Sequence, residues 1–317
     1  MGVLEHRSLC LGASIMNKSC NSTLPDLFSH MTWAYTITLV LLGLVLNCLA
    51  LCVLCCRLPQ WTETRVYMVN LAVADLCLVC ALPFFLHTLK MEKQGTLFCY
   101  LSQGIYLVNR YMSISLIMAI AVDRYLAVCY PLRSRGLRSP RQAVAVCALL
   151  WVLVVSSQGV RWLLDMHEGG FCFSRQSPKF NSILVSLMSF YVPLAVLVFC
   201  SLQVVTSLAR RPAADLTQAE ATRKASRMIW ANLAVFVACF LPLHLVLTVF
   251  SAMAPDNCDL RRTFSILLYF TSKLSDANCC LDTISYYLMA KEFQEASVRV
   301  SGAKVHKSQD SLSIILT

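Results

Sequence analysis

The stretch YLSQGIYLVNRYMSISLIMAIAVDRYLAV, residues 100–128, is apolar over most of its length, yet Arg110 stands well inside it, far ahead of the charged pair Asp123 and Arg124. A helix needs about 20 predominantly apolar residues to cross a bilayer, and this run exceeds that. A soluble helix of the same length would show a polar stripe on each turn, which is missing here. The run therefore predicts a membrane-spanning helix. A charge at mid-depth is too costly to face lipid, so Arg110 is expected to face other helices or a polar cavity, and to be functional.

The rest of the chain repeats the pattern. Of its 317 residues, 57% are hydrophobic and 14% charged, well below the charge of an ordinary soluble domain. Seven runs are long enough to span: 33–56, 65–88, 98–129, 142–164, 181–209, 224–252 and 263–289. None alternates with the two-residue period of a barrel strand, so the fold class is an all-α membrane protein, a seven-transmembrane-helix bundle. The third, fifth and sixth runs are long enough to tilt or to project beyond the bilayer.

Lys and Arg set the orientation. The loops after the odd-numbered runs, with the carboxyl-terminal tail, carry Arg133, Arg135, Arg138, Arg141, Arg210, Arg211 and others, fifteen in all, against about eight on the opposite side. That asymmetry predicts an extracellular amino terminus and a plasma-membrane protein with its tail in the cytosol. The net charge of +10 is then a topology signal with some attraction to anionic membrane lipid, and nucleic acid is not an expected partner. The chain divides into an extracellular tail (1–32), a seven-span helical domain (33–289) and a cytoplasmic segment (290–317) in which MAKEFQEASVRV suggests an amphipathic eighth helix lying along the membrane. Residues 1–32 lack the apolar core and cleavage site of a removable signal, so the first span is expected to direct its own insertion. Asn17 and Asn21 are glycosylation acceptors.

Of 17 cysteines, twelve fall in or beside the helices and are expected to pack there as small apolar residues. The spacing of Cys52, Cys55 and Cys56 resembles a metal motif, but a lipid-buried helix offers a metal no entry path. Cys10, Cys20, Cys99, Cys172 and Cys258 fall on the oxidising side. Four paired cysteines allow three connectivities. The favoured one joins Cys99 to Cys172 and Cys20 to Cys258.

Short motifs occur one to a span: Gly43 and Asn47; NLAVADL with Asp75; Asp123-Arg124-Tyr125 closing the third; Trp151; Pro193; Phe240-Leu241-Pro242; and DTISY ending at Tyr286. Together and in this order they resemble the rhodopsin-like (class A) G-protein-coupled receptors over essentially the whole chain. Longer stretches such as WTETRVYMVNLAVADLC, QGIYLVNRYMSIS and TSKLSDANCCLD resemble one member of that family, associated with acidic aromatic ligands such as kynurenic acid. Phe240 stands where the family usually has Trp, and Asp282-Thr283 where it has Asn-Pro. The missing proline implies a weaker kink in the last span.

Arg124 lies 14 residues beyond Arg110, about 21 Å along the helix and on nearly the same face, so Arg110 points into the bundle at mid-depth. The fork of an arginine suits a carboxylate. With Arg161, Lys273, Lys90 and Arg175 as further cations, and Tyr106 and Phe171 as aromatic walls, the expected ligand is a flat aromatic acid, with Arg110 its anchor. A structural salt bridge from Arg110 to Asp276 or Asp75 is the alternative. Tyr106 occupies the position where amine receptors carry Asp, and Asp276 that of the retinal-linking Lys of opsins, so the resemblance implies neither ligand. Asp75, Asn109, Ser113, Asn278 and Asp282 form a second polar group, for which the resemblance implies a sodium ion in the resting state; a hydrated hydrogen-bond network is the other reading. No further cofactor is expected.

The resemblance also implies that Asp123 and Arg124 pair at rest and that the segment bearing Phe240 and Pro242 swings to admit a heterotrimeric G protein, of the Gi/o or G12/13 type. Many relatives add an acid on the sixth span where this chain has Thr222, so the resting lock is expected to be weak. Ser297, Ser301, Ser308, Ser311, Ser313 and Thr317 are candidate sites for a receptor kinase, whose phosphates would recruit arrestin. No catalytic dyad, phosphate loop or metal motif suggests an enzyme. A transporter of small organic anions is the competing reading, against which stand the lack of an internal repeat and of paired broken helices.

Overall fold

The computed structural model describes residues 26–57, 61–90, 97–134, 136, 138–166, 180–210, 216–253 and 257–283. Among these the regular elements are all helical. The long ones are α1 (Asp26–Cys52), α2 (Glu63–Lys90), α3 (Leu97–Cys129), α4 (Pro140–Met166), α5 (Phe180–Ala209), α6 (Leu216–Met253) and α7 (Cys258–Asp276). A π-helical turn, Val53–Arg57, continues α1, and a single turn, Pro131–Ser134, follows α3.

The first six helices are long and apolar enough to cross a membrane. Their surfaces say what surrounds them. On α1, Leu41, Val45 and Leu49 recur every fourth residue and are each more than half exposed, while Leu39, Asn47 and Ala50 are buried. Such an outward apolar stripe is at home in hydrocarbon.

α7 is less apolar than the others, since it carries Arg261, Arg262, Lys273 and Asp276. It ends at Asp276, and the backbone N–H of Ala277 bonds to the Leu274 carbonyl at 3.2 Å, a tightened i→i+3 turn. Helix then resumes over residues 278–283. The seventh predicted span is thus helical on both sides of Ala277, and its irregularity sits there without a proline.

α3 runs through the middle, packed against α2, α4, α5 and α6. Its Met112, Ile114 and Leu116 are fully buried in a core shared with Leu71, Phe190, Phe236 and Phe240. Gly43 lets α1 come close to α2: a Cβ there would lie 2.6 Å from Val79 Cγ2, inside contact distance. Asn47 ties α1 to the last span, its Nδ2 donating to the Gly43 and Cys279 carbonyls at 3.0 and 2.8 Å. Trp151 Nε1 donates to Asn70 Oδ1 at 3.1 Å and so ties α4 to α2. Pro83, Pro193 and Pro242 lie inside α2, α5 and α6, each removing one backbone donor.

Candidate functional site

Three polar clusters are strung along α3. The first is built on Arg110, half-buried one turn beyond Tyr106. The guanidinium donates to the Tyr106 hydroxyl and, at 3.1 Å, to Ser272 Oγ. It also lies over the Tyr106 ring, 4.7 Å from the centroid, where the ring face attracts a cation. The phenol O–H donates to Asp276 Oδ1 at 2.7 Å. The Ser272 hydroxyl, 2.6 Å from the Tyr106 oxygen, is therefore the donor in that contact. The other Asp276 oxygen lies 3.3 Å from Lys273 Nζ, and the Lys273 carbonyl accepts from the Tyr35 hydroxyl at 2.6 Å.

The Arg110–Tyr106 association expected from sequence is present, with Ser272 added. A direct Arg110–Asp276 salt bridge is not formed: a tyrosine stands between the two charges. Among the described residues no carboxylate lies at ion-pair distance from Arg110. Lys273 arrives in the same cluster, but its charge is already matched by Asp276. Arg161 falls on α4 and Lys90 ends α2, with side chains outside those described. Phe171 and Arg175 lie outside the described residues.

Beside this cluster, His244 is buried on α6, its ring stacked 3.9 Å from that of Phe190. Its Nδ1–H donates to the Phe240 carbonyl at 2.8 Å. One turn on, Tyr191 and Thr248 share a hydrogen bond of 2.9 Å between α5 and α6. Neither His244 nor Ser272 was expected. Both were within reach of helical spacing, since His244 is i+4 from Phe240 and Ser272 is i−4 from Asp276.

The five residues named for the second cluster are all buried, and hydrogen bonds join four of them in two pairs. Asn109 Nδ2 donates to Asp75 Oδ1 at 3.2 Å, and Asn278 Nδ2 to Asp282 Oδ2 at 2.7 Å. Asp75 Oδ2, Ser113 Oγ and Asn278 Oδ1 are buried without a hydrogen-bond partner, as is Asn47 Oδ1. Each such oxygen costs about 1–3 kcal/mol if nothing satisfies it. An all-oxygen set with two carboxylates fits a hard cation, and it also fits ordered water.

The third cluster closes the other end of α3. Arg138 Nε and Nη2 grip the two oxygens of Asp123 at 2.8 and 3.1 Å, in the parallel-fork geometry of the strongest ion pairs. Thr64 adds a hydrogen bond to Asp123 at 2.9 Å, and Glu63 lies 3.4 Å from Arg138. The hydrogen bonds that Arg138 donates to Asp123, with the charge of both carboxylates, raise the pKa of the guanidinium further. The sequence paired Asp123 with Arg124; in the structure both oxygens of Asp123 are engaged by Arg138. Arg124 lines a narrow crevice with Ile120, Leu197, Ser201, Val204 and Asn232. Tyr125 sets its ring edge-on to Phe199 and Tyr130. Phe240 is buried edge-on against Phe236, which in turn stacks on Phe190 of α5. Pro242 follows within α6. Tyr286 lies outside the described residues.

Cys258 is disulfide-bonded. Twelve of the 17 cysteines are free, so its partner is one of Cys10, Cys20, Cys99 and Cys172, a set that contains the favoured Cys20. Those partners, the glycosylation acceptors Asn17 and Asn21, the amphipathic segment and the six tail hydroxyls lie outside the described side chains.

A helical bundle with a buried arginine, a buried oxygen cluster below it and a clamped Asp-Arg-Tyr motif is matched by sequence. Residues 15–286 fit the 7 transmembrane receptor (rhodopsin family), and the chain belongs to that family. It is a G-protein-coupled receptor and not an enzyme. Within the family it is 63% identical over 300 residues to human G-protein coupled receptor 35, covering 94% of this chain and 97% of the relative. The mouse receptor of the same name is 61% identical over 303 residues, covering 94% and 99%. Human lysophosphatidic acid receptor 4 is more distant, 33% identical over 303 residues, covering 90% and 81%.

Proposed function

We propose that this receptor faces outward with its amino terminus, binds small aromatic carboxylic acids of the kynurenate kind, and activates G proteins of the Gi/o or G12/13 type. One observation carries the reading: Arg110 is a half-buried cation whose hydrogen bonds go to neutral hydroxyls. An incoming carboxylate offers that fork two charged acceptors in place of two neutral ones, and charge-assisted bonds are roughly twice as strong. Tyr106 supplies an aromatic wall, while Arg161, Lys90, Arg175 and Phe171 are candidates for the rim. Lys273 acts through Asp276 rather than as a free anchor.

The same exchange supplies a signal. When the ligand takes Arg110, the relay through Tyr106 to Asp276 loosens, and Asp276 immediately precedes the turn at Ala277. Beyond that turn Asn278 and Asp282 belong to the oxygen cluster. A sodium ion held there by Asp75, Ser113 and Asn278 would favour the resting arrangement, and by linkage would oppose agonist. Membership of a receptor family favours this reading over the anion transporter.

The test is Arg110→Ala, compared with wild type at matched surface level. Removal of a charged hydrogen-bond donor costs about 1.5–3 kcal/mol, so potency of every aromatic carboxylate should fall roughly 10- to 100-fold in G-protein nucleotide exchange. Unchanged potency would overturn the assignment.

A further inference from the structure

The cysteines at the end of α1 have no part in the reading above. The membrane-crossing stretch of α1 is Met31–Cys56, so Cys55 and Cys56 are its last residues, and Arg57 follows. The π-helical turn Val53–Arg57 buries Leu54 completely and leaves both thiols exposed and free. The turn is held from behind: Arg65 Nη2 donates to the Cys55 carbonyl at 3.3 Å and stacks 4.1 Å from the Trp61 ring. Next to Arg65, Thr64 bonds Asp123, so this end of α1 is level with the Asp123 clamp.

We infer that Cys55 and Cys56 are an S-acylation site, each taking a long-chain fatty acyl group in thioester linkage. The inference rests on the orientation proposed above, which puts this end in the cytosol. Thiols there stay reduced, and long-chain acyl-coenzyme A is available to a membrane-bound protein acyltransferase. The thiolate attacks the acyl carbonyl, the carbon–sulfur bond to coenzyme A breaks, and coenzyme A leaves as the thiol with the proton that cysteine gave up. Juxtamembrane thiols are the usual acceptors, because the new chain can enter the bilayer beside its own attachment point.

The remaining thiols are placed less well. Cys48, Cys77 and Cys80 are exposed within the spans, away from a water-soluble donor, and Cys52 is one turn deeper than Cys56. Cys129 is at the same end but half-buried, its Sγ 3.8 Å from the Gln203 carbonyl. Residues 290–317 contain no cysteine. Among the described residues no group of three His, Cys, Asp or Glu is placed to hold an ion.

The experiment uses the full chain in cultured cells with an amino-terminal epitope. Free thiols are capped, thioesters are cleaved with neutral hydroxylamine, and the released thiols are tagged with a polymer-bearing maleimide. A stepwise mobility increase that requires hydroxylamine is expected in wild type and in Cys129→Ser. One step should vanish in Cys55→Ser and in Cys56→Ser, and all of it in the double variant, whose surface epitope shows that it folds. No hydroxylamine-dependent shift, or a shift that survives in the double variant, overturns the inference. The epitope must be accessible on intact cells; if it is hidden, the orientation fails and the inference fails with it.

Discussion

A guanidinium deep in a membrane bundle needs polar company, and Arg110 finds it in two hydroxyls and a ring face. The nearby carboxylate, Asp276, is shared between Tyr106 and Lys273. This makes Asp276 the local competitor of an acidic ligand. Asp276→Asn removes a negative charge close to the proposed anchor and takes from Lys273 its carboxylate neighbour at 3.3 Å. At an effective dielectric of about 20, loss of a like charge one residue removed is worth on the order of 1 kcal/mol. Potency of carboxylate agonists should therefore rise about fivefold, while a neutral agonist, if one is found, should not gain. A loss of potency instead would mean that Asp276 positions Arg110 through Tyr106. Much of this was legible in the sequence. The 14-residue separation from Arg124 turned Arg110 inward, and Lys273 and Asp276 stand i, i+3. Which cation Asp276 would choose was not legible, because that depends on the register of α3 against α7. A shift of one turn would bring Arg110 to the carboxylate in place of Tyr106.

Among the described glycines, Gly43 is the one hemmed in by a neighbouring helix. A valine there would push into Val79, and neither backbone can yield without separating α1 from α2. Overpacking of this kind costs roughly 1–3 kcal/mol, so Gly43→Val should lower the melting temperature of the detergent-solubilised receptor by several degrees, while Gly159→Val, where an added Cβ meets open space, should leave it nearly unchanged. The oxygen cluster belongs to this scale too, for it joins α2, α3 and the last span. Asp75→Asn removes one carboxylate from the set. In that variant agonist affinity should no longer fall as sodium is raised against a constant ionic strength, whereas in wild type it should. Equal sodium sensitivity in both would exclude Asp75 as a ligand. Element placement was the most legible part of the sequence, since a bilayer-length apolar run admits few alternatives. α3 ends at Cys129, where the run ended. The seventh span was less so. With Asp282-Thr283 in place of Asn-Pro the sequence suggested a weaker kink; in the structure an i→i+3 turn lies at Ala277, between Asp276 of one side-chain cluster and Asn278 of the next.

At the scale of the whole bundle, the Arg138 clamp gathers three parts of the chain. Glu63 and Thr64 start α2, Asp123 is near the end of α3, and Arg138 leads into α4. Movement of α3 against α2, or of the α3–α4 connection, must break a two-pronged ion pair that is mostly shielded from water. Its partners raise the pKa of Arg138, so the arginine stays charged at every working pH and alkali does not open the clamp. From sequence the clamp looked like one more basic residue in a loop, because its meaning comes from folding that loop back over Asp123. The resemblance would place an acid on the sixth span where this chain has Thr222, so the two-pronged Asp123–Arg138 pair is the restraint to test at this end. Arg138→Ala should release Asp123 and Glu63 into mutual repulsion and raise agonist-free nucleotide exchange several-fold, with a lower melting temperature. Arg138→Lys keeps the charge but loses the fork and should fall between. Asp123→Asn, which weakens the same pair from the other side, separates restraint from G-protein contact. If both Arg138→Ala and Asp123→Asn raise basal exchange, the pair restrains the resting state. If only Arg138→Ala changes it, and downward, Arg138 serves the G protein directly and the resting state is held elsewhere.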